Sequence, residues 1–241
     1  MGRYGEPPRR ELGISRVLAI QSLKAALLLF LSLHPKLYPL RISHCISQTF
    51  LFLFCLFLAS SMNAQDEKLP YYEIPDYPSD YGSGNIAARM IDGLGFRFYW
   101  ATEGLREKDL VYKPSEDSRS VIETLRHICS MSQNILNAPL GEPNTGTVDY
   151  SKFGYQELRE LTLKNLKAAS EAVAGKEASD FENFSIIYKR GERESRFPYW
   201  NLINGMISDC IYHAGQITML RRVTGNPINP KVNVFAGKVR K

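Results

Sequence analysis

The chain has 241 residues, 44% of them apolar and 23% charged. That is the composition of an ordinary globular protein with enough apolar surface for a core. The net charge of +5 sits wholly in residues 1–64, which hold seven basic and two acidic side chains, whereas residues 65–241 hold 23 of each. A neutral domain lacks the broad basic footprint that a phosphate backbone demands, so nucleic acid is excluded as a partner.

Two apolar runs mark the first segment, "AALLLFLSL" at 25–33 and "TFLFLFCLFLASSMNAQ" at 49–65. The second follows Arg41 and ends in small residues, the order of a secretory signal peptide with cleavage after Ala64. Its apolar core is short of the ~20 residues a spanning helix needs. The expectation is an exported protein, periplasmic or secreted, touching a membrane only if the segment stays uncleaved. The core also begins far from Met1, which suggests that residues 1 to about 40 come from an upstream start. With residues 1–64 set aside, Cys129 and Cys210 remain, too few for a disulfide framework.

Residues 65–83 are rich in Pro, Tyr and Asp and read as an extended lead-in. A first helix is predicted from about residue 85, capped by Asn85, with Ile86, Met90, Leu94, Phe98 and Ala101 as its apolar face. A second follows Ser118, carries Val121, Ile122, Leu125, Ile128, Cys129, Ser132, Ile135 and Leu136 inward, and stops before Pro139 and Gly141. A third runs from Tyr155 to Ala174 on Leu158, Leu161, Leu163, Leu166 and Ala169, with Gly175 ending it. "FSIIYKRGERESRF" then breaks into two short runs around Arg190-Gly191-Glu192, a small hairpin. The longest helix runs from Pro198 to Thr224, with Leu202, Met206, Cys210, Ile217 and Leu220 along one face. The fold class is all-α, a four-helix bundle with a hairpin-like excursion before its last helix. The bundle spans 84–236, followed by a short tail at 237–241.

Of four histidines, only His127 and His213 lie beyond residue 64. Asp209 stands one helical turn before His213, so the two side chains share a face. Bundles commonly build metal sites from two ligands on one helix and a third from a neighbour. Two imidazoles and a carboxylate suit Zn²⁺, Ni²⁺, Fe²⁺ or Mn²⁺, and three protein ligands leave positions open for water or substrate. A hydrogen-bonded Asp–His pair, or Asp209 paired with Arg221 or a backbone donor, explains the same spacing. His127 lies off the main stripe of its helix, beside Thr124, Met131 and Asn134. Glu123, Gln216, Tyr212 and Trp200 are neighbours in sequence whose roles periodicity leaves open.

"SVIETLRHI" and "DCIYHAGQITMLRR", with the closing "TGNP" at 224–227, resemble the DinB-like (DinB/YfiT) superfamily of helical bundles. The likeness runs over about 84–236 and maps the family's ligand, His, Gly-Gln pair and Arg onto Asp209, His213, Gly215, Gln216 and Arg221. The first ligand of the last helix is often His in that family; Asp209 replaces it here, and a two-His-one-carboxylate set also suits iron. The resemblance implies a divalent transition metal (Zn, Ni or Fe) on His127, Asp209 and His213, a small-molecule substrate and a possible homodimer. It implies a metal-dependent hydrolase, a thiol S-transferase, or a non-catalytic binding or stress protein of the envelope.

Overall fold

Cap chemistry and apolar spacing decide where the helices begin and end. The structure is a computed structural model that describes residues 68–241. The signal peptide expected within residues 41–64, the segment before it and the opening of the lead-in lie outside the described residues. The described part is helix-rich, with a three-stranded and a two-stranded sheet. Among these residues no helix is long and apolar enough to cross a membrane.

Helix α1 (Ser83–Thr102) starts before the predicted Asn85. Asn85 instead donates to Asp80 at 2.9 Å and accepts from the Gly175 amide at 3.0 Å, tying two loops together. Leu94, Phe98 and Ala101 are buried as expected, but the first turns of the face are rotated: Ile86 is exposed and Met90 half-buried, while Ala87, Ala88 and Ile91 are buried. The small residues set this phase. The backbone of α1 approaches the end of the third long helix so closely that a Cβ on Gly84 would lie 2.3 Å from the Val173 carbonyl.

A short α2 (Glu107–Leu110) leads to α3 (Val121–Leu140). The cap of α3 is Ser120, two residues beyond the predicted Ser118. The Ser120 amide donates to Glu123 at 2.7 Å and the Glu123 amide to the Ser120 hydroxyl at 3.4 Å, a capping box. Pro139 lies inside the last turn rather than beyond it, where it removes one terminal hydrogen bond only. The helix closes at Gly141, whose φ of +69° lets Glu142 N–H reach the Asn137 carbonyl. Helix α4 (Tyr155–Val173) buries Leu158, Leu163, Leu166 and Ala169 as expected, with Leu161 half-buried.

The predicted hairpin is present. Strand β2 (Ser185–Arg190) pairs antiparallel with β3 (Arg193–Pro198), from Ser185↔Pro198 to Arg190↔Arg193. The sequence pattern gave no sign of β1 (Pro143–Asn144), which adds a short parallel edge to β2. Strands β4 (Val232–Asn233) and β5 (Lys238–Val239) form the second pair.

The final helical stretch opens with α5 (Tyr199–Asn201), passes through a π-helical segment (Leu202–Ile207) and continues as α6 (Ser208–Val223). Tyr199 and His213 are buried, and its main buried stripe runs through Leu202, Ile207, Cys210, Ala214, Ile217 and Arg221. The first step is five residues and the later ones three or four, as a widened π turn requires. Met206, which a uniform 3.6-residue period turns inward, is therefore only half-buried and Ile207 takes its place. Helices α1 and α3 each pack against both α4 and α6.

The end of α6 is fastened to the other elements by polar contacts. Arg221 donates to the Trp100 and Ala101 carbonyls at 3.0 Å and to the Asn226 carbonyl at 2.7 Å. Asp109 accepts from Arg106, Thr224 and Asn226. The "TGNP" residues thus anchor α6 rather than enter a site.

The lead-in is anchored by Tyr71, which lies in the left-handed region at φ +73°. Its ring fills the notch above Gly95, where a Cβ would stand 2.4 Å away. Its hydroxyl donates to the buried Asp92 at 3.0 Å. Burial pushes the Asp92 carboxyl above its ordinary value of 3.8. The favourable contribution of such a group is complete below 3.8 and is lost as pH rises through the folded value. Asp92→Asn is accordingly expected to raise the Tm at neutral pH and to leave it unchanged below the unfolded pKa. Thermal melts across that range check this, and a fall in Tm at neutral pH would contradict it.

Candidate metal centre

The three residues singled out in the sequence come together where α3 meets α6. One ligand atom from each of His127, Asp209 and His213 lies within 4.8 Å of the other two. Asp209 Oδ2 stands 3.4 Å from His127 Nε2 and 3.4 Å from His213 Nε2. The two imidazoles meet edge to face, 4.9 Å between centroids.

These distances discriminate between two uses of the cluster. An N–H···O bond is best at about 2.9–3.0 Å, so 3.4 Å is long for one. Ligand atoms held ~2.0–2.2 Å from a tetrahedral ion lie about 3.3–3.6 Å apart, and both Asp209 contacts fall in that range. Nitrogen, nitrogen and carboxylate oxygen form a donor set suited to a divalent transition metal. The residues present therefore fit such an ion.

The geometry follows from the backbone. One turn of α6 places Asp209 and His213 on the same face. The π-helical turn immediately before Asp209 resets the phase of the helix, so the buried stripe continues through Cys210 and Ala214 while Asp209 and His213 border it. The Ser208 hydroxyl donates to the Ile203 carbonyl at 2.7 Å across that turn.

Gln216 supplies the orientation that periodicity left open. Its Oε1 lies 2.6 Å from His213 Nδ1. An amide oxygen can only accept, so Nδ1 is the donor and Nε2 is the nitrogen turned toward Asp209. The His213 side chain is 11% exposed, so the ring has little freedom to turn. Burial, and then the charges of Arg119 and His213, hold His127 below the ordinary imidazole value of 6.5 against the opposing pull of Asp209. The neutral, ligating form of His127 thereby extends to more acidic solution.

Asp209 borders the apolar face with its side chain 45% exposed, so burial alone does not demand a partner. Arg221 is committed to the end of α1 and to Asn226 and is not that partner. Glu123 belongs to the α3 cap rather than to His127. Trp200 is exposed, and Tyr212 is exposed with its ring 5.9 Å from that of His213. Cys129 and Cys210 are buried free thiols whose pKa values burial pushes up, Cys129 to about 11. Neither is set up as a nucleophile.

Two clefts adjoin the cluster. One of about 530 Å³ is bordered by His213, Gln216 and Arg119. Another of about 520 Å³ is bordered by Asp209, Tyr212 and Met131. A small molecule can thus approach the cluster from either flank.

No known family and no curated protein matches the chain. Among solved structures it is similar to a DinB-like protein from Bacillus subtilis, with 16% identity and a TM-score of 0.42 over 62% of this chain and 98% of that one. The assignment of the cluster rests on its own geometry.

If Gln216 fixes the His213 tautomer, Gln216→Ala should weaken divalent-metal binding about 10- to 100-fold, the usual cost of losing such a support. Competition with a chromophoric chelator measures it. An unchanged affinity would show that the Gln216 contact does no orienting.

Proposed function

We propose that this chain is a DinB-like four-helix bundle protein that holds one divalent transition metal on His127, Asp209 and His213 and uses it for hydrolysis. The observation that carries the reading is the pair of 3.4 Å separations from Asp209 Oδ2 to the two Nε2 atoms. Three ligands rather than four characterise catalytic sites, which keep a position for water or substrate.

A bound divalent ion supplies Lewis acidity and a water acidified toward neutrality. The chain's own residues supply the rest. Gln216 fixes one imidazole, and the packing of α3 on α6 places His127 against Asp209. The bordering clefts admit a small substrate and give it two directions in which to lie. Export belongs to the same proposal and is supported by the signal-like order of residues 41–64. Hydrolysis is favoured over transfer to a small cellular thiol because such thiols are mainly cytosolic.

Purified without chelators, the protein should carry about one equivalent of a transition metal. His213→Ala and His127→Ala should each lose it, whereas Cys210→Ala should retain it. Metal analysis of the four proteins decides this, and well under one equivalent in the wild type would overturn the enzyme reading. A screen of the metal-loaded protein against esters, amides and thiol acceptors should give turnover of an ester or amide that His213→Ala abolishes. Turnover confined to thiol transfer would contradict hydrolysis while keeping the metal.

A further inference from the structure

The cleft beside His213 is bordered by an exposed cation. Arg119 borders it together with His213 and Gln216. Arg119 immediately precedes Ser120, the N-cap of α3. A cation there faces the positive end of the helix dipole, an unfavourable place for it. Neighbouring charges are engaged. Lys113 lies 3.9 Å from the Glu116 carboxylate, Asp117 accepts from the Ser115 hydroxyl at 2.6 Å, and Glu123 closes the α3 cap. Arg126 donates to the Ser151 carbonyl. Arg119 is exposed to solvent, and among the described residues it has neither a hydrogen bond nor an ion pair. It shares that cleft with His213, a member of the cluster.

We propose that Arg119 is a specificity-determining residue that binds a carboxylate or phosphate group of the substrate, so that the candidate metal centre takes small oxyanionic molecules. The inference rests on the metal reading. A guanidinium stays protonated throughout the working pH range, and its planar fork matches both carboxylate and phosphate. With a divalent ion held by a single carboxylate, the cluster keeps net positive charge, and Arg119 adds to it on the cleft side. An anion entering there meets two cationic groups, one at the cluster and one at the wall, together with the Asp117 carboxylate, which borders the same cleft and accepts from the Ser115 hydroxyl. The cleft beside Asp209 is bordered by Met131, Asn204, Gly205, Met206, Ser208, Asp209 and Tyr212 and offers no cation. The anionic end of a substrate is therefore directed toward Arg119 and its neutral end toward the other flank. The unfavourable position of the guanidinium at the helix terminus is relieved when an anion binds.

The test uses the full chain loaded with Co²⁺, whose visible spectrum reports ligands entering its coordination sphere. Inorganic phosphate, acetate and neutral imidazole are titrated in turn. Arg119→Gln should weaken phosphate, acetate or both by about 10- to 100-fold, the scale of one charge-assisted hydrogen bond. Imidazole and Co²⁺ itself should bind as in the wild type. Arg119→Lys should recover part of the oxyanion affinity. Loss for phosphate alone, or for acetate alone, identifies which oxyanion the site takes. Equal oxyanion affinities in wild type and Arg119→Gln overturn the proposal and leave the metal site standing. Parallel weakening of imidazole also overturns it, since the residue would then be shaping the cleft rather than reading charge. Failure of the wild type to take up Co²⁺ overturns the metal reading and this inference with it.

Discussion

Asp209 sets a single oxygen 3.4 Å from an imidazole nitrogen on its own helix and 3.4 Å from another on α3. That convergence is a constraint on the whole molecule, because it requires α6 to present a chosen face to α3 at a chosen depth. Several features serve it. The π turn sets the rotation of α6 just before Asp209. Gln216 fixes the His213 ring three residues on. Arg221, Thr224 and Asn226 fasten the far end of the helix to α1 and to Asp109. The fixed geometry of one helical turn, i to i+4, does the remainder.

The site is polar on one side and packed on the other. Cys210, Ala214 and Ile217 seal α6 against the core, and His213 is nearly buried at the boundary. His127 and Asp209 stay partly open, with exposures of 33% and 45%. An ion placed among them would be gripped from the protein side and reachable from the clefts. A purely structural pair would gain little from that arrangement, since half-exposed ion pairs contribute small amounts to stability.

Much of this was legible in the residues. Helix extents followed from apolar spacing and glycine stops, although the caps fell on other residues than Asn85 and Ser118, and the hairpin followed from the Arg190-Gly191-Glu192 break. The spacing of Asp209 and His213, with His127 as the one remaining histidine of the domain, pointed at the cluster itself. Three things were not legible. The π turn depends on packing around Leu202–Ile207, and a helical wheel drawn at 3.6 residues per turn puts Met206 where Ile207 lies. The start of the α1 face was misplaced because large residues such as Ile86 and Met90 dominate a periodicity count, whereas Gly84, Ala87 and Ala88 fix the close approach. The partners of Glu123 and Arg221 are decided by cap and loop geometry: Glu123 returns to Ser120, and Arg221 bonds to carbonyls more than a hundred residues earlier in the chain. Gln216 carried a usable signal, its i+3 spacing from His213, but only the ring orientation distinguishes a support from a filler.

The most direct test of the central claim is crystallographic. Crystals of the Zn²⁺-loaded protein measured on both sides of the zinc absorption edge should show one anomalous peak between α3 and α6. It should lie ~2.0–2.2 Å from His127 Nε2, Asp209 Oδ2 and His213 Nε2. Full Zn²⁺ loading with no peak there, or a peak that includes Asp209 and His213 while His127 turns away to solvent, would contradict the account.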